Sequence, residues 1–393
     1  MTERYYLNAL GMINALGTGK AEIGAQLFAG DTAGMQLQEG YLLDQAVVAG
    51  AVHQTLPEIA GNLSSYDSRN NRMLLAALQE IEGDIRTAID RYGPDRVAVI
   101  LGTSTSGISD NEPGIAEKVK TGSFPEVFDY NRQDNASLAL FARAYFGLSG
   151  LAMTISTACT SSAKTFASAR RMMAAGLCDA AIVGGADTLC RLTMNGFASL
   201  DLLSPVLCNP FSQNRNGINI GEGAAVFLMS REPSPVRLAG IGETSDAYHM
   251  STPDPEGLGA LTAMQQALGE SGFNPEDIAY LNLHGTATEL NDSVEAKAVY
   301  ELLDAVPCSS TKPLTGHTLG AAGSTELGFL WLALRSGEGV LPPHIWDEAV
   351  DAEIPPLNLV PKGMTMPEAR AMMTNSFAFG GNNISVILSK ERE

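Results

Sequence analysis

A cysteine at the end of a β-branched run is the first residue here that could do chemistry. In Met153-Thr-Ile-Ser-Thr-Ala-Cys159-Thr-Ser-Ser162 an apolar strand pattern runs into Cys159, and small residues then open a helical pattern at Ala163. A sulfur at a strand-to-helix turn lies near unpaired backbone N–H groups and the positive end of a helix dipole. Both favour thiolate, and the same donors can face an oxyanion on a bound carbonyl. The bland alternative is a buried, inert thiol. A second candidate is His284 in Leu283-His-Gly-Thr-Ala-Thr288, at the C-terminal end of another apolar run, where open α/β sheets bind ligands. A satisfied core histidine is its alternative. The third is Ser309-Ser-Thr-Lys312-Pro-Leu-Thr-Gly-His317-Thr-Leu-Gly-Ala-Ala-Gly323, a lysine and a histidine on a glycine-rich loop. Gly and Ala there permit close backbone approach, as in a phosphate loop. The Gly-x-x-x-x-Gly-Lys-Ser/Thr order is absent, however, and nucleotide binding is rejected.

The elements that must position these residues read as short buried strands alternating with helices. Asp95–Gly102, Ala180–Gly185 and Ala224–Met229 are strand-like, and Met73–Tyr92 and Ala163–Ala175 are helical in pattern. Such alternation predicts an α/β layered fold with largely covered sheets. Ser230–Val236, with Pro233 and Pro235, reads as a connector, which divides the chain into 1–232 and 233–393. The two parts echo each other. Gly221-Glu-Gly-Ala-Ala-Val-Phe-Leu-Met-Ser-Arg-Glu232 closes the first, and Gly380-Gly-Asn-Asn-Ile-Ser-Val-Ile-Leu-Ser-Lys-Glu391 closes the second. Each also has an early strand running into Gly-Thr, at Gly102-Thr103 and at Gly285-Thr286.

Composition narrows the function classes. The 393 residues suffice for a well-buried core, and 45 % hydrophobic with 18 % charged residues describes a compact globular enzyme. A net charge of −19 argues against broad nucleic-acid binding, which needs a basic surface. The sequence shows neither a secretory signal pattern nor an apolar run long enough to span a bilayer. Five scattered cysteines without metal-type pairing suggest a reducing compartment, so a soluble cytoplasmic protein with no metal site is expected.

Together the three chemical segments resemble the Cys-His-His site of the 3-ketoacyl-acyl-carrier-protein synthases of the I/II type. The likeness extends over nearly the whole chain. It includes Asn8–Gly17, Pro210-Phe-Ser-Gln-Asn-Arg-Asn-Gly-Ile-Asn-Ile-Gly-Glu-Gly223, Asp246-Ala-Tyr-His-Met250 and Asn375-Ser-Phe-Ala-Phe-Gly-Gly381. The resemblance implies a thiolase-like fold, duplicated and layered α-β-α-β-α, with two mixed five-stranded sheets. It implies an acyltransferase that holds an acyl group on Cys159 and condenses it with malonyl-carrier protein, releasing CO2, in fatty-acid or polyene/polyketide elongation. His284 and His317 would donate Nε2 hydrogen bonds to the malonyl thioester carbonyl. Lys312 would be an electrostatic member of the site, paired with Glu295. Thr286 and Thr288 would hold the phosphopantetheine arm, with Phe377 beside them. Phe379 would be a gating aromatic whose N–H joins that of Cys159 in an oxyanion hole.

No permanently bound cofactor is expected, because substrates arrive on the arm of acyl carrier protein. By the same resemblance the chain forms a dimer, either with itself or with a homologous condensing-enzyme subunit. Carrier proteins are acidic, so a chain at −19 needs local cations; Arg69, Arg72, Lys118, Lys120 and Arg215 are candidates.

Some positions depart from the family pattern. Glu289-Leu-Asn-Asp292 stands where Pro-x-Gly-Asp is usual, Asn216 replaces Asp, Asn382 replaces Thr, and Ala378 replaces Gly. These changes spare the chemical groups and fall on the acyl pocket and the gate, so a specialised synthase fits as well as a housekeeping one. The absence of a second cysteine from Asn375 to Asn383 separates the chain from thiolases, and His317 separates it from the type III initiating synthases. A non-catalytic or chain-length-determining partner subunit is the alternative reading, disfavoured by Cys159.

Overall fold

The computed structural model describes residues 3–391. Ten strands form its frame. In the first half these are β1 (Tyr5–Asn14), β2 (Val97–Gly102), β3 (Ala152–Ile155), β4 (Ala180–Asp187) and β5 (Gly223–Ser230). In the second they are β6 (Val236–Ser245), β7 (Ile278–Asn282), β8 (Pro307–Ser309), β9 (Ala371–Ala378) and β10 (Asn382–Lys390).

Their order is the same in both halves. The first runs β3-β2-β4-β5-β1, with β2 parallel to β3 and β4 and the remaining pairs antiparallel. The second runs β8-β7-β9-β10-β6, with β7 parallel to β8 and β9 and the rest antiparallel. The duplicated α/β architecture anticipated from sequence is therefore present, with one refinement. The sheets touch where β1 pairs with β6 at Tyr5↔Leu238 and Tyr6↔Arg237, so a single hydrogen-bonded ladder passes through both.

Six helices matter for the site: α1 (Arg69–Glu80), α2 (Ala136–Phe146), α3 (Ser161–Ala174), α4 (Leu258–Ser271), α5 (Glu289–Leu303) and α6 (Ala322–Arg335). The helical pattern at 73–92 resolves into α1 and a separate helix, Glu82–Tyr92, because buried Ile81 leaves the helical conformation at φ −118°.

Strand periodicity explains the layers. On β2, Ala98 and Ile100 face a central core with Phe166 of α3 and Phe329 of α6, while Val97, Val99 and Leu101 face an outer core with Leu74 of α1 and Phe141 of α2. The second sheet has its own outer core against Met264 of α4 and Val299 of α5. Helix α6 is buried almost all round and is built from small and apolar residues, as a helix sandwiched between layers must be. Glycine lets α6 come close to α3, since a Cβ at Gly323 would lie 2.6 Å from that of Ala163.

Candidate active site

All the chemical side chains lie past the C-terminal ends of parallel strands, where an α/β sheet leaves a crevice. Cys159 sits between β3 and α3, His284 just after β7, and His317 between β8 and α6.

Each turn is held in a conformation its residues do not favour. Ala158, Ala287 and Leu319 all have positive φ, at 51°, 62° and 51°. A non-glycine residue there costs on the order of 1–3 kcal/mol, so surrounding bonds must over-determine it. Around Ala158 they do. Ser161 Oγ donates to Ala158 O at 2.6 Å, Thr157 N to Ser161 Oγ at 2.9 Å, and Thr160 Oγ1 to Thr157 O at 2.7 Å. The Thr and Ser flanking the cysteine thus build the turn that aims it. At Ala287 the N–H donates to Asp292 Oδ1, and the carbonyl accepts from Gly217 N at 2.9 Å.

The three side chains converge. His317 Nε2 is 2.9 Å from Cys159 Sγ, the imidazole centroids are 5.4 Å apart and nearly perpendicular, and the sulfur and ring nitrogens lie within 4.8 Å of one another. All three residues are buried. Both Nδ1 atoms are buried without a partner. An orphaned N–H costs more than an orphaned lone pair, so the lack of a partner at Nδ1 among the described residues favours the tautomer with hydrogen on Nε2 in each ring.

Charge is arranged to keep the rings neutral. Burial, reinforced by the Lys312 ammonium, holds the pKa of His284 and of His317 well below the ordinary histidine range. The sulfur departs from expectation. Lys312 and the N–H groups of Phe379 and Cys159 pull its pKa down, but burial outweighs them and pushes the thiol up to about 12. Burial thus opposes the thiolate that the place of Cys159 ahead of a helix favours.

Lys312 also corrects the sequence reading. Its ammonium pairs with Glu326 of α6 and donates to His284 O at 2.7 Å, in a setting only 2 % exposed. Glu295 does not pair with it. Its two oxygens accept the backbone N–H groups of His284 and Gly285 at 2.8 Å each, and Asn375 Nδ2 donates to it at 3.1 Å. Both carboxylates are thus a short step from His284, one fixing its N–H and one holding the lysine beneath its carbonyl. Burial raises the pKa of Glu326 to about 7 and that of Glu295 above the usual carboxylate range.

The remaining candidates line the same cleft. Thr286, Thr288, Phe377 and Phe379 share a pocket with Cys159, His284 and His317, closed by Phe197, Leu202, Ile218 and Asn291. Thr286 and Thr288 hydroxyls are 3.1 Å apart, the Phe377 ring lies 6.1 Å from that of His284, and Phe379 packs on Phe197 at 5.6 Å. The carrier-docking cations divide differently. Arg69 pairs with Glu222, Arg72 with Asp67 and Arg215 with Asp351; of the three, Arg215 is the buried one, while Arg69 and Arg72 stay partly exposed. Lys118 and Lys120 are exposed.

Sequence reasoning missed the supports of His317. Its N–H donates to Asn219 O at 2.7 Å, and its carbonyl accepts from Gly221 N at 2.9 Å, so the Pro210–Gly223 segment is a clamp for this histidine. Fully buried Asp187, at the end of β4, accepts from Thr103, Ser104 and Thr105 and from Gly320 N at 2.5 Å, tying the His317 loop to the first half. A polar residue ending an apolar strand was the available signal for Asp187.

Comparison with known proteins agrees with this geometry. The beta-ketoacyl synthase N-terminal domain family matches residues 52–234, and the C-terminal domain family matches 236–346. A Staphylococcus aureus 3-oxoacyl-[acyl-carrier-protein] synthase 2 is 30 % identical over 347 residues, 82 % of each chain. A ketosynthase from Xenorhabdus doucetiae, solved in complex with its chain length factor, superposes with a TM-score of 0.94 at 44 % identity over 99 % of this chain and 98 % of that one. The ishigamide ketosynthase/chain length factor gives 0.89 at 26 % identity, over 99 % of this chain and all of that one. Sequence, fold and the convergence of one sulfur with two imidazoles agree: this chain belongs to the beta-ketoacyl synthase family, condensing enzymes of the acyltransferase class.

Proposed function

We propose that Cys159, His284 and His317 together carry out decarboxylative condensation on carrier-bound thioesters. The observation that carries this reading is the 2.9 Å contact of His317 Nε2 with the sulfur, with the second imidazole on the same cavity.

In the first half-reaction the Cys159 sulfur attacks the acyl thioester. The N–H groups of Cys159 and Phe379 face the oxyanion that forms, and His317 Nε2–H stabilises the developing negative sulfur. The new carbon–sulfur bond forms as the old one breaks, and the thiol proton leaves with the departing pantetheine thiol. In the second, the malonyl thioester carbonyl accepts from both Nε2–H groups. The C–C bond to the carboxylate breaks, CO2 leaves, and the electron pair forms an enolate that the two donors stabilise. Its carbon attacks the acyl group, and Cys159 departs and takes a proton from solvent. Neutral rings suit this work, because a hydrogen bond is needed at that carbonyl and no proton need be given up. Thr286 and Thr288 hold the phosphopantetheine arm, and Phe379, next to Gly380 and Gly381, gates the cavity.

The chain is read as the cysteine-bearing subunit of a pair. Support comes from β3, an outermost strand whose residues are half-buried, and from two similar structures that contain a ketosynthase with a chain length factor. A homologous partner lacking the cysteine would complete that edge. No helix among the described residues is long and apolar enough to cross a membrane, which fits work on soluble carrier-bound chains.

Incubation with acyl-carrier protein and intact-mass spectrometry tests the reading. A single acyl adduct on the wild type and none on Cys159→Ala is expected. Absence of any adduct across chain lengths, with the homologous partner present, would overturn it.

A further inference from the structure

One wall of the pocket carries a side chain where the family pattern has glycine, at position 291 of Glu289-Leu-Asn-Asp292. Asn291 lines the pocket that holds Cys159 and the two histidines, and it also lines an adjoining cavity bounded by Asp246, Ser251 and Asn383. Only Phe377 and Phe379 are likewise common to both linings. The position is firmly placed. Its neighbour Asp292, fully buried, accepts from Phe211 N at 2.8 Å and from Ala287 N at 3.1 Å, which fixes the first turn of α5 against the His284 loop.

The carboxamide is under-used. Asn291 Nδ2 reaches Thr286 Oγ1 at 3.4 Å, at the long end for a hydrogen bond, and Oδ1 accepts none from the described residues. Asn291, Thr286 and Thr288 therefore form a polar string on the wall of the pocket that holds the sulfur, with spare donor and acceptor capacity at Asn291.

A pantetheine arm is a chain of amides, each presenting one N–H and one C=O. A carboxamide offers the complementary pair, which a threonine hydroxyl does less fully and a glycine side chain does not offer. We propose that Asn291 is a specificity-determining residue for the substrate arm, hydrogen-bonding an arm amide as the thioester passes Phe379 to reach Cys159. The proposal rests on the condensing-enzyme reading given above. Binding of substrate exchanges the long contact with Thr286 for a shorter one with the arm. The effect belongs in KM and not in kcat, because position 291 touches neither the thioester carbon nor the two imidazoles.

The test compares two acyl thioesters with the same acyl group, one of pantetheine and one of ethanethiol, which has no amide. Acylation of Cys159 is followed by mass spectrometry on the wild type, Asn291→Gly, Asn291→Ala and Asn291→Ser, with thermal melting as a check of folding. Loss of one hydrogen bond should raise KM for the pantetheine ester by about three- to tenfold in the glycine and alanine variants, with kcat unchanged and the ethanethiol ester unaffected. Asn291→Ser should recover part of the loss. Equal changes for both esters, or no change for the pantetheine ester, would show a wall residue without amide recognition and overturn the proposal. Failure of wild-type Cys159 to react with either ester would instead remove the condensing-enzyme reading, and this proposal with it.

Discussion

The turn between β3 and α3 and the turn between β8 and α6 occupy the same place in the two halves, yet the first carries Cys159 and the second His317. The first is short, residues 156–160, and lies beside a half-buried outer strand. The second spans 310–321, contains the one-turn helix of Lys312, and is buried throughout. The loops after the second strand of each half differ in the same way. After β7 comes His284, whereas after β2 come Thr103, Ser104 and Thr105, whose donors converge on Asp187. One path used twice brings four equivalent loops to a common cleft, and the work is then divided. The first half supplies the sulfur and a polar bracket, and the second supplies the two imidazoles. Bonds across the halves, Asp187 to Gly320 and Ser324 N to Ser162 Oγ at 2.9 Å, set the distance between them.

If the halves are divided in this way, removing the nucleophile should be the most damaging change. Cys159→Ala is expected to lower condensation by about ten-thousand-fold in a product-mass assay, while the two histidines still promote some malonyl decarboxylation. Loss of decarboxylation along with condensation would merge the two roles.

The second expectation concerns the state of the sulfur. With its pKa pushed to about 12, the thiol is protonated at neutral pH and ionises only as pH rises toward that value. Iodoacetamide labelling of Cys159 should climb about tenfold per pH unit well past pH 9, carrying on the order of a thousandth of the thiolate of a free thiol at pH 7. A plateau near pH 7 would show that the helix and His317 dominate burial after all.

The buried Lys312–Glu326 pair comes next. Glu326→Leu leaves the Lys312 ammonium buried without its partner and should cost roughly 3–5 kcal/mol in chemical denaturation, Lys312→Met should cost less because Glu326 can take up a proton, and the double variant should lie closer to wild type. Equal loss in all three would mean that packing, not charge, is at stake.

The smallest expected effect separates the two rings. His284→Ala and His317→Ala should each slow decarboxylation by about 10²–10³-fold, but only the latter should also slow acylation, since His317 alone touches the sulfur. Identical acylation rates in both variants would erase that distinction.

Legibility in the sequence followed the range of the interaction. The buried strands β2, β4 and β5 stood out because both faces are covered and their residues are apolar without interruption. Cys159, His284 and His317 stood out because each ends such a run or lies in a glycine-rich loop. The partner of Lys312 did not, since Glu295 and Glu326 are both buried acids on helices of the same half, and spacing along the chain does not say which one faces the ammonium. Arg215 reads equally well as a surface cation, yet it is buried against Asp351.

Residue type and local pattern were enough to determine, from the sequence alone, an α/β chain of two similar halves with one candidate thiol and two candidate imidazoles. The tertiary structure decided that burial opposes ionisation of the thiol, that the sulfur and both rings meet in one cavity, and that Lys312 belongs to Glu326. Those outcomes depend on how completely water is excluded and on which groups meet across the halves. Both are properties of the packed whole, and nearest-neighbour sequence does not encode them.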